Sequence, residues 1–331
     1  MKSVIYYLSI LFLFSLHGIA LNFIDSRRSS VSGGMGNISA CCIGNGDSVD
    51  QNPAAITGQN MMIHFSGSVN SNPDIMTILG GSIGFKPLSF IAMGFSLNGV
   101  NYGIMTGNIT YDGDEGQRIQ TGDTAIRTVV GFAKQGLFSK TVNIHVGISE
   151  KYSASRLDEV LLSCYATDAG IIITLNNLLP GGSGRRIFKT PVAPNTIYTG
   201  LLLRNFFFSV NGNSMNIGNN EKYAQFKAIP GIGYSYSIRK LISTKIFFDF
   251  EVIDKIAHIG SEIGFVDFFY LRGGTEISAE NEKFTFGLGL CKTIGLGLEL
   301  ALNYTIVPSD FVGTVQTVGI SIGLEQPRQL R

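Results

Sequence analysis

Apolar residues alternate with small or polar ones at a period of two through one short segment after another, and this feature constrains the chain most. In the run from Ser89, Ile91, Met93, Phe95 and Leu97 share one face, and Ala92, Gly94, Ser96 and Asn98 share the other. Val142, Ile144, Val146 and Ile148 likewise oppose Asn143, His145, Gly147 and Ser149. Ile246, Phe248, Phe250 and Val252 oppose Lys245, Asp249 and Glu251, and Leu296, Leu298, Leu300, Leu302 and Tyr304 oppose Gly297, Glu299, Ala301 and Asn303. Successive side chains of a strand point to opposite sides, so this period reads as strands that hide one face each. Clusters of Gly, Pro, Asn and Asp separate the runs, as turns would. From Asn60 to Leu324 the pattern predicts about fourteen strands.

Alternation alone fits both a β-sandwich with one buried face and a membrane barrel with one lipid face. Three observations favour the barrel. The face opposite the apolar one is rich in Gly, Ser, Ala and Thr, where a water-exposed sheet would carry Lys and Glu. Helical periodicity is nearly absent after the N-terminus. Many runs reach about nine to eleven residues, the length that crosses a bilayer at a tilt. Composition agrees: 41 glycines, 23 phenylalanines and 12 tyrosines accompany only 15% charged residues, leaving too little charge to cover an ordinary water-exposed surface. The expected fold class is therefore all-β, a transmembrane antiparallel barrel of about fourteen strands, and an even number is the rule for single-chain bacterial barrels. Short turns are expected at Lys86-Pro87-Leu88 and from Arg239 to Ser243, facing the periplasm. Long polar loops are expected outside, at Asp112 to Asp123, Asn176 to Asn195 and Asn211 to Ala224.

The N-terminus carries Lys2, an apolar stretch from Val4 to Leu16, and small residues at Gly18 and Ala20, the layout of a signal peptide cleaved after Ala20. The alternative, a signal anchor, has a shorter apolar run than the roughly 20 residues a spanning helix needs. From Asn22 to Gln59 the chain is glycine-rich and lacks sustained alternation, so it reads as a plug inside the barrel or as a periplasmic arm. Pro53 after Asn52 predicts a fixed turn just ahead of the first strand. Cys41, Cys42, Cys164 and Cys291 are assigned no bridge: the vicinal pair is poorly placed to join, and the other two stand alone in strand-like runs. Ile38-Ser39-Ala40-Cys41 resembles a lipoprotein cleavage site but lies well beyond the apolar segment that should precede it.

Catalytic groups are sparse. His64, His145 and His258 fall on the small or polar face, so a serine beside His145 is conceivable as a nucleophile-base pair. Neither a Gly-x-Ser-x-Gly elbow nor a His-Glu-x-x-His metal pair is present, and the glycines around Gly33 lack the Lys and Ser/Thr of a phosphate loop. We expect no enzyme activity, metal site or cofactor. A net charge of +1 argues against a nucleic-acid surface, which needs clustered Lys and Arg. Lys245, Asp249, Glu251 and Arg272 are expected as lumen polar groups, with Glu276 and Glu299 beside them. They form a network of ion pairs, or Arg272 or Lys245 binds a carboxylate.

Gly33-Gly34-Met35-Gly36-Asn37, Asp47 and Asn52-Pro53-Ala54 together resemble the N-terminal signature of FadL-type transporters of long-chain fatty acids and other hydrophobic molecules. Asp168-Ala169-Gly170, read as opening a strand, Pro230 to Tyr236, His258 to Glu262, Leu271 to Gly274 and Thr285 to Gly289 extend the likeness. This second group is similar to the PorV and PorQ branch of the same superfamily. The resemblance implies an N-terminal hatch filling the lumen and a ligand that leaves sideways through the wall. Asn52, Pro53 and Ala54 would sit on the ligand route, shaped by Asp47 and by glycines such as Gly33 and Gly36. It divides the chain into a signal peptide (1–20), hatch (21–59), barrel (60–324) and C-terminal tail (325–331). Two departures stand out: no aromatic residue ends the chain, and it is shorter than typical fatty-acid transporters. The function so implied is passive transport of a hydrophobic small molecule, such as a long-chain fatty acid, across the outer membrane of a diderm bacterium, with outer-membrane lipid around the barrel. The alternatives are a PorV-like barrel that holds a secreted protein at the cell surface, and a general porin.

Overall fold

The computed structural model describes residues 29–43, 46–59, 61–72, 76–106, 118–136, 141–157, 160–176, 195–212, 226–238, 241–294, 297–309 and 313–325. The expected signal peptide, the centres of the three expected long loops and the tail beyond Glu325 lie outside these residues.

Fourteen strands run in chain order: β1 (Met61–Asn72), β2 (Met76–Leu88), β3 (Ile91–Thr106), β4 (Arg118–Gln135), β5 (Val142–Leu157), β6 (Val160–Asn176) and β7 (Asn195–Gly212). The second half comprises β8 (Lys227–Ile238), β9 (Ile242–Glu251), β10 (Ile256–Phe265), β11 (Phe269–Ile277), β12 (Glu282–Ile294), β13 (Leu298–Ser309) and β14 (Gly313–Glu325). Each pairs antiparallel with its sequence neighbours, and β1 closes on β14 from Met61 opposite Glu325 to Ser71 opposite Gln316. Closure is what lipid demands, because an unpaired backbone group in hydrocarbon costs several kcal/mol and a closed barrel has no edge.

The alternation falls as the sequence expects. Phe65, Leu79, Phe95, Leu97, Ile246, Phe248 and Ile320 lie exposed on the outer face. His64, Ser66, Ser96, Asn98, His145, Asp249 and Arg272 are buried within. An exposed apolar surface of this extent suits lipid and not water.

The interior is filled by the chain's own N-terminal portion, called here the inner segment. It comprises a one-turn helix α1 (Ser30–Gly34), two 3-10 turns at Gly46–Asp50 and Pro53–Gly58, and the extended residues between. Met35, Ile38, Ala40, Cys41, Val49, Ala54 and Ile56 are buried against the wall. Four apolar clusters join segment to wall; in one, Val31, Met35, Ile38, Cys41 and Cys42 pack on Phe247 and Tyr198.

Four sequence expectations shift. Several strands exceed the expected length: β3 and β5 have 16 residues, β6 has 17, and β4 and β7 have 18. Only part of each carries the apolar outer series, which on β5 gives way after Ile148 to Glu150 and Tyr152. Polar outer residues keep alternating, so pairing continues beyond the lipid-facing band. Second, β4 begins at Arg118, inside the expected loop at Asp112 to Asp123, and β2 runs on to Leu88 through an irregularity between Phe85 and Leu88. Pro87 lacks the N–H of a regular ladder, which fits an interruption there. Third, Asp168 lies in the middle of β6, not at its start. Fourth, loop length does not sort the two ends. In an up-and-down barrel every second connection shares an end, so the β6–β7 connection lies at the end of Met61 and Glu325, opposite the β3–β4 and β7–β8 connections. The expected loop at Asn176 to Asn195 therefore belongs with the short turns.

The inner segment and its wall as a candidate functional site

The wall makes room for the segment by dispensing with side chains. A Cβ added at Gly94 would lie 2.6 Å from Cδ1 of Ile56, at Gly131 2.7 Å from Cγ2 of Thr57, and at Gly84 2.8 Å from Oε1 of Gln59. At Gly147, Gly170, Gly200, Gly260 and Gly274 it would overlap Pro53, Asn52, Ala40, Met35 and the Met35–Gly36 peptide. Glycines on eight strands thus trace the segment's path. On the segment, Gly36 has φ +70° and a Cβ there would lie 2.7 Å from the carbonyl oxygen of Thr275. Backbone conformation and space both require glycine at that position.

Asn52 holds the segment to itself and to the wall. Its Oδ1 accepts the N–H of Ala54 at 3.0 Å, capping the 3-10 turn that Pro53 begins. Pro suits a first helical position because its missing N–H has no helical partner there. The Asn52 Nδ2 donates to the carbonyls of Ala40 at 2.7 Å and of Leu201 on β7 at 3.3 Å. Thr57 sits 2.6 Å from Nδ1 of His145, Lys86 Nζ donates to the Gln59 carbonyl at 2.9 Å, and Ser96 donates to Asp50 at 2.6 Å.

Asp249 is wholly buried and receives the N–H groups of Ser39 and Ala40 at 2.6 and 2.7 Å and the Cys41 thiol at 3.6 Å. In place of the expected ion pair Asp249 takes donors of the segment, and a buried carboxylate with two backbone donors is held strongly. Gly36 N–H donates to Thr285 at 2.8 Å, the Gly36 carbonyl lies 2.7 Å from His258 Nδ1, and Asn37 donates to Glu276 at 2.8 Å. Thr305 donates to the Ser30 carbonyl. Burial in this packing pushes the Cys42 thiol up to about 12 and raises that of Cys41, where the Asp249 carboxylate adds to the effect. None of the four cysteines forms a disulfide.

Lys245, Glu251, Arg272 and Glu276 form ion pairs along the wall, whereas Glu299 meets the Cys291 thiol. Lys245 and Arg272 both reach Glu262, each at 2.7 Å, and Arg272 also donates to Asn303 at 2.7 Å. Lys227 bridges Glu251 at 2.9 Å and Asp254 at 2.8 Å, and His258 Nε2 lies 3.3 Å from Glu251. Two luminal cavities adjoin these groups. One of about 200 Å³ is lined by His64, Lys245, Glu262, Arg272 and Asn303, and one of about 160 Å³ by Arg204, Lys227, Glu251, His258 and Glu276. Both have mainly polar linings.

Gly33 lies in α1, and Gly36, Asn52, Pro53 and Ala54 are at the segment-wall contact. Asp47 is on the first 3-10 turn, and its side chain is outside the described residues. Sequence reasoning missed a second ionic group. Lys151 reaches Asp168 and Asn205, each at 2.8 Å, Arg127 lies 3.5 Å from Asp168, and Asn205 N–H donates to Asp168 at 2.9 Å. The inward phase of Lys151 and Arg127 was readable, but their partner was not, since pairing of β4, β5, β6 and β7 brings them together.

No family model matches this chain, and no curated protein does. Among solved structures, the Pseudomonas putida toluene transporter TodX is similar at TM-score 0.54 and 9% identity, covering 90% of this chain and 98% of that one. A ΔS2S3 mutant of the monoaromatic hydrocarbon channel TodX gives 0.55 and 9%, over 90% and 99%, and the Ralstonia pickettii toluene transporter TbuX 0.50 and 11%, over 92% and 100%. At these identities the likeness is one of fold: this chain shares the closed β-barrel architecture of those hydrophobic-molecule channels.

Proposed function

We propose that this protein is an outer-membrane channel for the passive passage of hydrophobic small molecules, long-chain fatty acids among them. The observation that carries the reading is the contact between inner segment and wall. Residues 29–43 and 46–59 lie inside the barrel against its wall, which supports a plugged channel over an open aqueous pore. The segment is held by discrete hydrogen bonds at Asp249, Thr285, His258 and Asn52 and packs an apolar strip, Met35 and Ile38, on Phe247 and Tyr198. Shifting residues 29–43 would bare that strip, and apolar burial there would bind a chain at about 0.8 kcal/mol per CH₂. Water and ions would gain little from the same opening. The hatch role of Asn52, Pro53 and Ala54 belongs to this proposal, and the likeness in fold to toluene transporters supports it.

The test is uptake of labelled oleate and labelled toluene by a diderm strain lacking this protein, with and without complementation. Uptake of at least one should fall in its absence and return with the gene. Unchanged uptake of both would defeat the reading. Co-purification of a secreted protein in that case would point to a surface-attachment role.

A further inference from the structure

The wall is irregular at one place. Thr167 and Ala169 of β6 are two positions apart, but their partners on β7, Phe207 and Leu203, are four apart. β7 therefore carries two surplus residues and arches away from its neighbour, as a bulged strand does. Asn205 takes the left-handed conformation at φ 52°, which asparagine tolerates better than most residues. Its N–H is held by Asp168 and its side chain by Lys151, so a buried ionic cluster backs the arch on the luminal side.

The arch breaks the alternation. Phe206, Phe207 and Phe208 are consecutive and all exposed, at 48, 62 and 40%, where a regular strand would turn at least one inward. Beneath them lies a cavity of about 370 Å³ on the outside of the barrel, lined also by Ile148, Glu150 and Tyr165. Phe206 and Phe207 meet edge to face at 4.5 Å. The Glu150 carboxylate accepts the Thr167 hydroxyl at 3.0 Å, and among the described residues no lysine or arginine forms a salt bridge with it; Lys151, whose charge reaches it, is on the luminal side and is paired with Asp168. Glu150 is also where the apolar outer series of β5 ends, so the cavity opens at the rim of the lipid-facing band.

We propose that this cavity is a binding site for an organic ammonium carrying an apolar substituent. Aromatic faces attract a weakly hydrated cation through their quadrupoles, and the attraction grows as water is excluded. A half-buried carboxylate without a basic partner adds the charge complement, because a charge drawn from water needs one. A metal cation is a poor fit: calcium takes six to eight oxygen ligands, and one carboxylate with one hydroxyl falls well short. A fatty carboxylate would meet Glu150 as a like charge. The site goes beyond the transport reading, since it faces outward and is backed by ions.

The test is calorimetric titration of the purified barrel, in a neutral maltoside detergent at pH 7.5, with benzyltrimethylammonium and with its uncharged carbon isostere neopentylbenzene. The cation should bind saturably at one site, about tenfold or more tighter than the isostere. Glu150→Gln should weaken it about tenfold, and Phe207→Leu, which keeps the grease and removes the ring, several-fold. Heat-modifiable migration on gels checks that each variant is folded; if one is not, the wild-type comparison of cation with isostere decides. Isostere binding as tight as the cation, undiminished binding to folded Glu150→Gln, or no saturable binding would each overturn the proposal. None of these outcomes bears on oleate or toluene uptake.

Discussion

At the scale of single residues, space decides more than charge. Gly170 faces Asn52 with no room for a methyl group, whereas a Cβ at Gly67 on the outer face would meet nothing closer than 3.8 Å. Gly170→Val should destabilise the folded barrel by about 1–3 kcal/mol through overpacking, and Gly67→Ala should stay within about 0.5 kcal/mol. Urea unfolding followed by heat-modifiable migration reads both; equal effects would show that the segment does not press on the wall. The thiols give a second residue-scale test. A folded-state value raised to about 12 keeps Cys42 protonated, and thiolate is the reactive form. Maleimide at pH 7.5 should therefore leave Cys42 unmodified until the protein is denatured. The sign is that of a raised acid: this contribution to stability is full below the ordinary cysteine value of about 8.5 and declines as pH climbs toward 12. The glycines of the wall were legible in the sequence as the small face of each strand. Which of them abut the segment was not, because neighbours such as Gly170 and Asn52 are far apart in the chain and meet only through closure of the barrel.

Among the elements, the inner segment depends on the wall for its shape. α1 is a single turn, and two further turns are 3-10, so none would persist alone. Asp249 is the strongest attachment, and removing it leaves the N–H groups of Ser39 and Ala40 buried without their acceptor. Asp249→Ala should cost about 2–3 kcal/mol locally. Hydrogen exchange should rise across residues 29–43 while the amides of β9 and β10 stay protected; exchange spread evenly over the barrel would refute a local attachment. Lys151 holds a second buried carboxylate, Asp168, where β5, β6 and β7 meet. Lys151→Ala removes the nearest cation from Asp168 and leaves it Arg127 at 3.5 Å and the Asn205 N–H, so it should destabilise by about 3 kcal/mol, measurable as a lowered urea midpoint. The period-two pattern puts Lys245, Asp249, Glu251 and Arg272 on the small or polar face of their strands. It could not tell that Asp249 would take backbone donors while Glu262 takes both Lys245 and Arg272, because register, which alternation leaves free by any even step, decides that.

For the molecule as a whole, the closed sheet and its filled lumen are one design. Deleting residues 29–58 should convert a poorly conducting barrel into an open pore, seen as a rise in single-channel conductance in planar bilayers; unchanged conductance would mean the segment does not occlude the lumen. What the sequence determined by itself is the class of fold: an apolar series every second residue, opposite a glycine and serine face, suits strands with lipid on one side and a crowded interior on the other. The strand number was also legible, but the glycine-rich, non-alternating N-terminal portion read as a plug or as a periplasmic arm, and only its packing against the wall separates the two. Only the tertiary structure decided where β7 arches, which carboxylate holds the segment, and which end the β6–β7 connection occupies. Those depend on strand register and barrel closure, which bring together groups as far apart in the chain as Thr305 and Ser30, separated by 275 residues, and no local pattern encodes such distances.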